Sequence, residues 1–367
     1  MPISEPFKLS LWQKRQATLL YHFASLEYLK GLKPLIDALI DGTDLLLDVA
    51  RQQGRDALLV STRWGARDTS ANWGTYGFPA LIDFRESVIR QIAKRAMEEY
   101  SGTGVNSCAH MLSELSMGWA TQEEEDGFKE RFEQVYEYAS AIDRVLKRPP
   151  TAKDYTYWAI WKREKSQFPR LPRFCVRADV EGETDKIPPR TGVYVPQDDP
   201  YGALQFRWTG GGYGELCETY TFNEIGLDAV GTLGRDGLWD DNQALLRFLQ
   251  QPKYRGVFTD LGGDEVTDAD IAGSVVARES FVARPCKWYF VEMINGEYET
   301  EEESQGFPAT GFPQRVPAGQ PCPKSGWWST PAKADSRRYF AAGDMLPEID
   351  GSDYGATFWL LAGDQPV

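Results

Sequence analysis

The pattern of hydrophobic residues changes once along this chain, near residue 170, and that change limits the fold to one class. Between Glu124 and Arg148 the apolar residues recur in steps of three and four: Phe128, Phe132, Val135, Ala139, Ile142 and Leu146. This spacing covers one face of an α-helix, and Pro149 and Pro150 end it because neither can donate the next helical hydrogen bond. Beyond residue 170, short runs rich in β-branched and aromatic residues predict strands instead.

Five such helical patterns, joined by short connections, predict an antiparallel bundle over residues 1–150. Gly31 and Pro34 are expected to end the earliest helix. Residues 151–172 are predicted to connect the bundle to a mainly antiparallel β domain with inserted helices, residues 173–367. The predicted fold class is therefore α+β, with the helices first.

The predicted strands of the second half are bounded by Gly, Pro and Asp, and they span residues 173–180, 192–196, 203–209, 218–222, 288–294 and 357–361. Inserted helices are predicted from Asp240 to Gln250 and from Thr267 onward. Asp268 and Asp270 suit the first turn of the second of these helices. The run Thr209-Gly210-Gly211-Gly212-Tyr213-Gly214 lacks the Lys-Ser/Thr ending of a phosphate loop and predicts a glycine-rich hairpin.

An internal repeat is visible in the second half. Residues 189–194 and 323–328 share the order Pro, basic, hydroxyl, Gly, apolar, aromatic. Each copy is followed by Tyr-Gly-Ala, at residues 201–203 and 354–356, and then by an aromatic strand. The repeat predicts two related β units within the second domain.

The charge of the chain is distributed unevenly between its halves. The formal net charge is −14, yet residues 1–170 contain 23 basic and 23 acidic side chains, whereas residues 171–367 contain 17 and 31. This balance argues against a nucleic-acid partner, because phosphate binding needs a basic face. It indicates a partner with a basic surface for the acidic half.

The compartment follows from two further features. No apolar run has the length of a signal peptide or a membrane span, so we expect a cytoplasmic protein without a membrane partner. Five cysteines without a Cys-x-x-Cys pair suit reduced thiols in such a compartment.

Acidic residues next to aromatic residues in predicted loops are the candidate partner-binding residues. An aromatic ring supplies area that loses water on binding, while carboxylates steer a basic partner and pair with its Lys or Arg side chains. The candidates are Asp198, Asp199, Tyr201, Asp236, Trp239, Asp240, Asp241, Glu297, Tyr298, Glu301 and Glu302.

Signals for catalysis or for a metal are weak, and we predict no cofactor and no metal. The chain has two histidines, His22 and His110, and Cys108 with His110 lacks two further ligands at zinc spacing. The acidic run from Asp260 to Asp270 does not follow the spacing of a calcium loop. Two alternatives remain. One is an enzyme, either a hydrolase that reverses a covalent modification or a glycosidase that uses buried carboxylates. The other is a carbohydrate-binding module, through Trp327, Trp328 and Trp359.

The C-terminal stretch adds a resemblance. Residues 321–333 (PCPKSGWWSTPAK), 336–340 (SRRYF), 343–347 (GDMLP) and 353–359 (DYGATFW) resemble the ending of bacterial immunity proteins of the immunity protein 71 and 72 type. Such proteins are encoded beside polymorphic toxins, including type VI secretion and Rhs effectors. The resemblance implies a non-enzymatic protein that neutralises a cognate toxin by blocking its active site or an adjacent surface. It supplies no catalytic residues.

Overall fold

The computed structural model describes residues 7–147, 152–254, 256–301, 303, 315–330, 332–333, 336–349 and 357–361. Its α-helices are α1 (Leu11–Ala24), α2 (Leu26–Gln52), α3 (Ser70–Lys94), α4 (Val105–Ser113), α5 (Gln122–Leu146), α6 (Asp154–Glu164), α7 (Glu224–Asp240), α8 (Asn242–Leu249) and α9 (Ala269–Glu279). Its strands are β1 (Leu171–Glu183), β2 (Gly192–Pro196), β3 (Gln205–Arg207), β4 (Thr219–Phe222), β5 (Phe281–Arg284), β6 (Lys287–Glu299), β7 (Arg315–Pro317), β8 (Gly326–Ser329), β9 (Arg338–Phe340) and β10 (Phe358–Leu361). The chain is α+β, with helices first and a mainly antiparallel β region after them.

The chain folds into two compact units. The helical unit comprises residues 20–150 and 208–214, and the β-rich unit comprises residues 1–19, 151–207 and 215–367. The first part of α1 therefore lies in the β-rich unit, although it precedes the helical unit in sequence. The stretch expected to be a connection contains α6, which also belongs to the β-rich unit.

In the helical unit, α2 packs against α3 and α5. The apolar face predicted for α5 is buried at Phe128, Val135 and Ile142, as its spacing requires. Its N-terminus is fixed by a capping box, in which Thr121 and Glu124 satisfy each other's backbone N–H groups.

The predicted end of the first helix at Gly31 and Pro34 is wrong. The break lies at Ser25, which caps α2 by accepting a hydrogen bond from the Tyr28 backbone N–H, and α2 continues through Pro34. Burial of the apolar residues that flank the proline outweighs its missing N–H group. Gly31 serves packing instead, because a Cβ there would overlap the Tyr138 hydroxyl.

The strands of the β-rich unit form two four-stranded sheets, ordered β1-β6-β2-β3 and β7-β10-β8-β9, and the pair β4-β5. Every described pairing is antiparallel. A hydrophobic core forms where α7, α8 and α9 pack against β4 and β10; its residues include Phe222, Trp239, Phe248 and Phe358. A smaller core contains Cys322, Trp328, Phe340, Leu346 and Trp359, so these residues of the C-terminal motif stabilise the fold.

The two copies of the repeat share a strand pairing and a turn contact. The first copy leads into β2, which pairs with β3, and the second leads into β8, which pairs with β10. In the first copy the Tyr194 hydroxyl donates to the Arg190 carbonyl (2.7 Å), and in the second the Trp328 indole donates to the Lys324 carbonyl (3.1 Å). The aromatic ring at the sixth position thus closes the same turn in both copies. Residues 354–356 lie outside the described residues.

Two local predictions differ from the structure. The glycine-rich run is not a hairpin, because β3 before it pairs with β2 and β4 after it pairs with β5. The second inserted helix begins at Ala269 with Asp268, rather than Thr267, as its N-cap.

Among the residues that the structure describes, no helix has the length and hydrophobicity needed to cross a membrane.

Candidate functional site

A buried carboxylate, Asp154, organises one exposed acidic segment of the β-rich unit. It is the first residue of α6, and its side chain is 2% exposed. Its oxygens accept hydrogen bonds from the indole N–H groups of Trp12 (2.8 Å) and Trp239 (2.9 Å) and from Nε of Arg235 (3.0 Å). Both indoles are buried, and the Arg235 guanidinium lies over the Trp12 ring at 4.9 Å. The last turn of α7 is therefore held from its inner side.

The carboxylates of the same turn face outward. Gly234 has φ 70° and ψ 168°, which separates residues 235–240 from the preceding part of α7. Because residues four apart share a helix face, Arg235 and Trp239 point toward Asp154 while Asp236 and Asp240 lie on another face. Both aspartates are exposed, as is Asp241, which follows them.

We call Asp236, Asp240 and Asp241 the acidic turn. Asp241 caps α8 by accepting a hydrogen bond from the Ala244 backbone N–H (2.8 Å). Asp240 pairs with Lys162 of α6 at the surface, where such a pair contributes little to stability. The backbone of the acidic turn is thus fixed at both ends, so binding a partner requires little further ordering. Trp239, predicted as an aromatic anchor for the partner, is instead the buried support of the turn.

The carboxylates of Asp198 and Asp199 are engaged inside the β-rich unit. Arg284 donates to Asp199 from Nε (3.0 Å) and to Asp198 from Nη2 (3.1 Å). Asp199 also accepts from the Thr221 hydroxyl and the Tyr201 backbone N–H. The Tyr201 ring packs against the core. These residues stabilise the fold, and we leave them out of the proposed binding surface.

The acidic segment at the end of β6 and just after it is largely neutralised by basic residues of the same unit. Lys14 binds Glu299 (2.6 Å), and Arg15 binds both carboxylate oxygens of Glu301 (2.7 and 2.8 Å). Glu297 and Tyr298 are exposed, with Glu297 3.7 Å from Arg173. Glu302 lies outside the described residues. Of the predicted acidic clusters, the acidic turn therefore has the most exposed carboxylates, although Asp240 is paired with Lys162.

Sequence reasoning missed one exposed feature of the helical unit. Residues 61–65 form a tight turn in which Ser61 and Gly65 exchange backbone hydrogen bonds (3.0 Å each), and Trp64 near its tip is 55% exposed. The guanidinium groups of Arg63 and Arg67 lie over the Trp64 ring at 4.8 and 6.0 Å. A groove of about 340 Å³ separates this turn from residues 113–116 at the end of α4. The sequence signal was a Trp between two Arg residues in a segment without helical periodicity.

The alternatives gain little from the geometry. Trp328 and Trp359 are fully buried, and Trp327 meets Tyr339 at 74° rather than in a coplanar platform for a sugar. Burial raises the pKa of Cys108 to about 12, and His110 is exposed, so this pair does not make an activated thiolate. In the described ranges, no group of three or more His, Cys, Asp or Glu side chains is arranged to hold a metal ion.

Comparison of this chain with protein-family models, with curated proteins and with solved structures finds no match.

Proposed function

We propose that this protein neutralises a bacterial toxin by binding it, in the cytoplasm of the cell that makes both. The observation that carries the proposal is the acidic turn, a set of exposed carboxylates. Its backbone is held in place because buried Asp154 binds the side chains of Arg235 and Trp239 in the same helical turn. The resemblance of the C-terminal stretch to immunity proteins supplies the class of partner. The partner is a protein toxin with a basic surface, of the type VI or Rhs kind.

Binding of this type needs no cofactor. It needs a complementary surface, a fast encounter and slow dissociation. Fixed carboxylates accelerate the encounter with a basic partner through long-range attraction, and a preorganised backbone avoids an entropic penalty on docking. The five free cysteines of the chain suit a reducing compartment.

The first experiment is co-expression of this protein with the toxin encoded beside it. We expect protected cells and a complex that survives gel filtration. Growth arrest without a complex would contradict the proposal as a whole.

The second experiment locates the surface. The triple variant Asp236→Asn, Asp240→Asn, Asp241→Asn removes the charge of the acidic turn while keeping a good N-cap at position 241. A matched control, Glu130→Gln, Glu133→Gln, Glu137→Gln, removes three exposed charges from α5 of the helical unit.

We expect the first variant to bind roughly tenfold more weakly and the control to bind normally. A third variant, Trp64→Ser, tests the exposed turn of the helical unit. Loss of binding in Trp64→Ser alone would move the interface to that unit and refute the role of the acidic turn.

A further inference from the structure

Arg95, at the end of α3 in the helical unit, carries a buried charge that no described residue pairs in an ion pair or a hydrogen bond. The side chain is 8% exposed, and among the described residues no acceptor lies within hydrogen-bonding reach of its Nε, Nη1 or Nη2. The guanidinium carbon lies 3.7 Å from the centre of the Tyr100 ring. A ring below the guanidinium interacts with its face, so the five N–H groups at its edge remain available. Burial lowers the pKa of Arg95 to about 10, so the group is still a cation at neutral pH.

A second buried polar atom lies one helical turn before it. Gln91 is also 8% exposed, and its Oε1 has no hydrogen-bond partner in the described chain. Residues 91 and 95 share a face of α3 because they are four apart. This face therefore offers several unused hydrogen-bond donors together with one unused acceptor. Both are buried, and a buried donor or acceptor without a partner is energetically unfavourable.

The glycine-rich run, residues 209–214, packs against residues 97–99, which follow Arg95 in the helical unit, and the Thr209 hydroxyl donates to the Glu98 carboxylate. Trp208, immediately before it, places its ring 5.5 Å from that of Tyr100. A Cβ on Gly210 would overlap the Met97 carbonyl oxygen, so only glycine allows this approach. A Cβ on Gly212 would meet nothing within 4 Å. Arg95, Tyr100 and Trp208 thus form a stack from which the glycine-rich run extends.

We infer that Arg95 and Gln91 bind a single phosphate-type oxyanion, covered on one side by the glycine-rich run. The planar edge of a guanidinium matches two oxygens of such an ion. Phosphate at neutral pH also carries a hydroxyl, which donates to the Gln91 oxygen, whereas sulfate and carboxylate carry none. The combination of unused donors with an unused acceptor therefore favours phosphate over sulfate and carboxylate. Free phosphate keeps a hydroxyl in both forms present near neutral pH, whereas a phosphate monoester keeps one only as its monoanion.

The test is titration of the full chain with inorganic phosphate by calorimetry, at constant ionic strength maintained with chloride. We expect saturable binding of one ion, with sulfate binding roughly tenfold more weakly because it leaves Gln91 unsatisfied. Methyl phosphate, titrated below its second pKa of about 6 so that it keeps a hydroxyl, distinguishes the two sources: its binding shows that the site also admits a monoester, and its exclusion shows that the site admits only the free ion. Absence of saturable phosphate binding to the wild-type protein would overturn the inference.

Variants assign the effect to the named residues. Arg95→Met should abolish phosphate binding, and its melting temperature in chloride should not fall, because a buried unpaired charge is removed. Arg90→Met, an exposed arginine of the same helix, is the charge-matched control and should bind as wild type. Gly210→Ala should weaken binding and Gly212→Ala should not. Equal phosphate affinity in Arg95→Met and wild type would also refute the site, and Arg95→Lys repeats the comparison with the charge retained.

Discussion

Replacing Asp154 by alanine should destabilise the β-rich unit strongly, because one carboxylate satisfies three donors. The change leaves two buried indole N–H groups, those of Trp12 and Trp239, without an acceptor. Each buried donor left unpaired costs about 1–3 kcal/mol. Arg235 is 21% exposed and keeps some contact with water, so its lost ion pair adds about 1 kcal/mol or less. We therefore expect a loss of about 4 kcal/mol in the free energy of unfolding.

The assay is urea denaturation followed by far-UV circular dichroism, which does not depend on the fluorescence of the affected tryptophans. Asp154→Asn keeps one carbonyl oxygen as an acceptor, so we expect it to lower the free energy of unfolding by about half as much as Asp154→Ala does. The exposed Asp236→Asn is the control and should change the free energy of unfolding by less than about 0.5 kcal/mol. Amide hydrogen exchange of residues 235–241 should accelerate in Asp154→Ala. A loss below about 1 kcal/mol, with unchanged exchange, would refute the role given to Asp154.

Three further predictions concern acid sensitivity, glycine packing and thiol exposure. Hydrogen bonds from Arg55 lower the pKa of Glu124 from 4.5 to about 2, so its contribution to stability is present above pH 4.5 and is lost as pH falls toward 2. Glu124→Gln should remove that part of the pH dependence of the urea midpoint, and an unchanged profile would contradict it. In α7, Gly226→Ala should destabilise the protein because its Cβ overlaps the Ser280 carbonyl oxygen. The exposed Gly231→Ala should instead stabilise it by up to about 1 kcal/mol. Melting temperatures that shift in the same direction in both variants would refute this. Cys175 is exposed and the other four cysteines are buried, so Ellman's reagent should label one thiol quickly in the native protein and none in Cys175→Ser.

Periodicity predicted the elements whose local and tertiary preferences agree. The helix α5 and the strand β2 were found because a capped amphipathic pattern and a short β-branched run between glycine and proline need no distant information. The helix α7 was missed because Gly226, Gly231, Gly234 and Gly237 lower its helix propensity, and packing in the α7–α9 core compensates.

In the candidate site, too, local sequence could not show contacts between residues that are distant in the chain. Acidic residues beside aromatic residues were visible in the sequence, but their partners were not. Arg284 pairs with Asp199 across 85 residues of sequence, and Lys14 with Glu299 across 285. Such pairs depend on the tertiary fold, so sequence proximity could not show which carboxylates remain exposed. Arg95 was missed because a basic residue at the end of a helix usually faces solvent, and nothing in the local sequence shows that this one is buried.

The most direct test of toxin binding through the acidic turn is the association rate with the cognate toxin, measured at several salt concentrations. The account predicts that the rate for the wild-type protein falls steeply with salt, and that neutralising Asp236, Asp240 and Asp241 lowers the low-salt rate roughly tenfold and flattens its salt dependence. The variant neutralised on α5 should follow the wild type. Identical rates and salt dependence for the wild type and the acidic-turn variant would contradict the account.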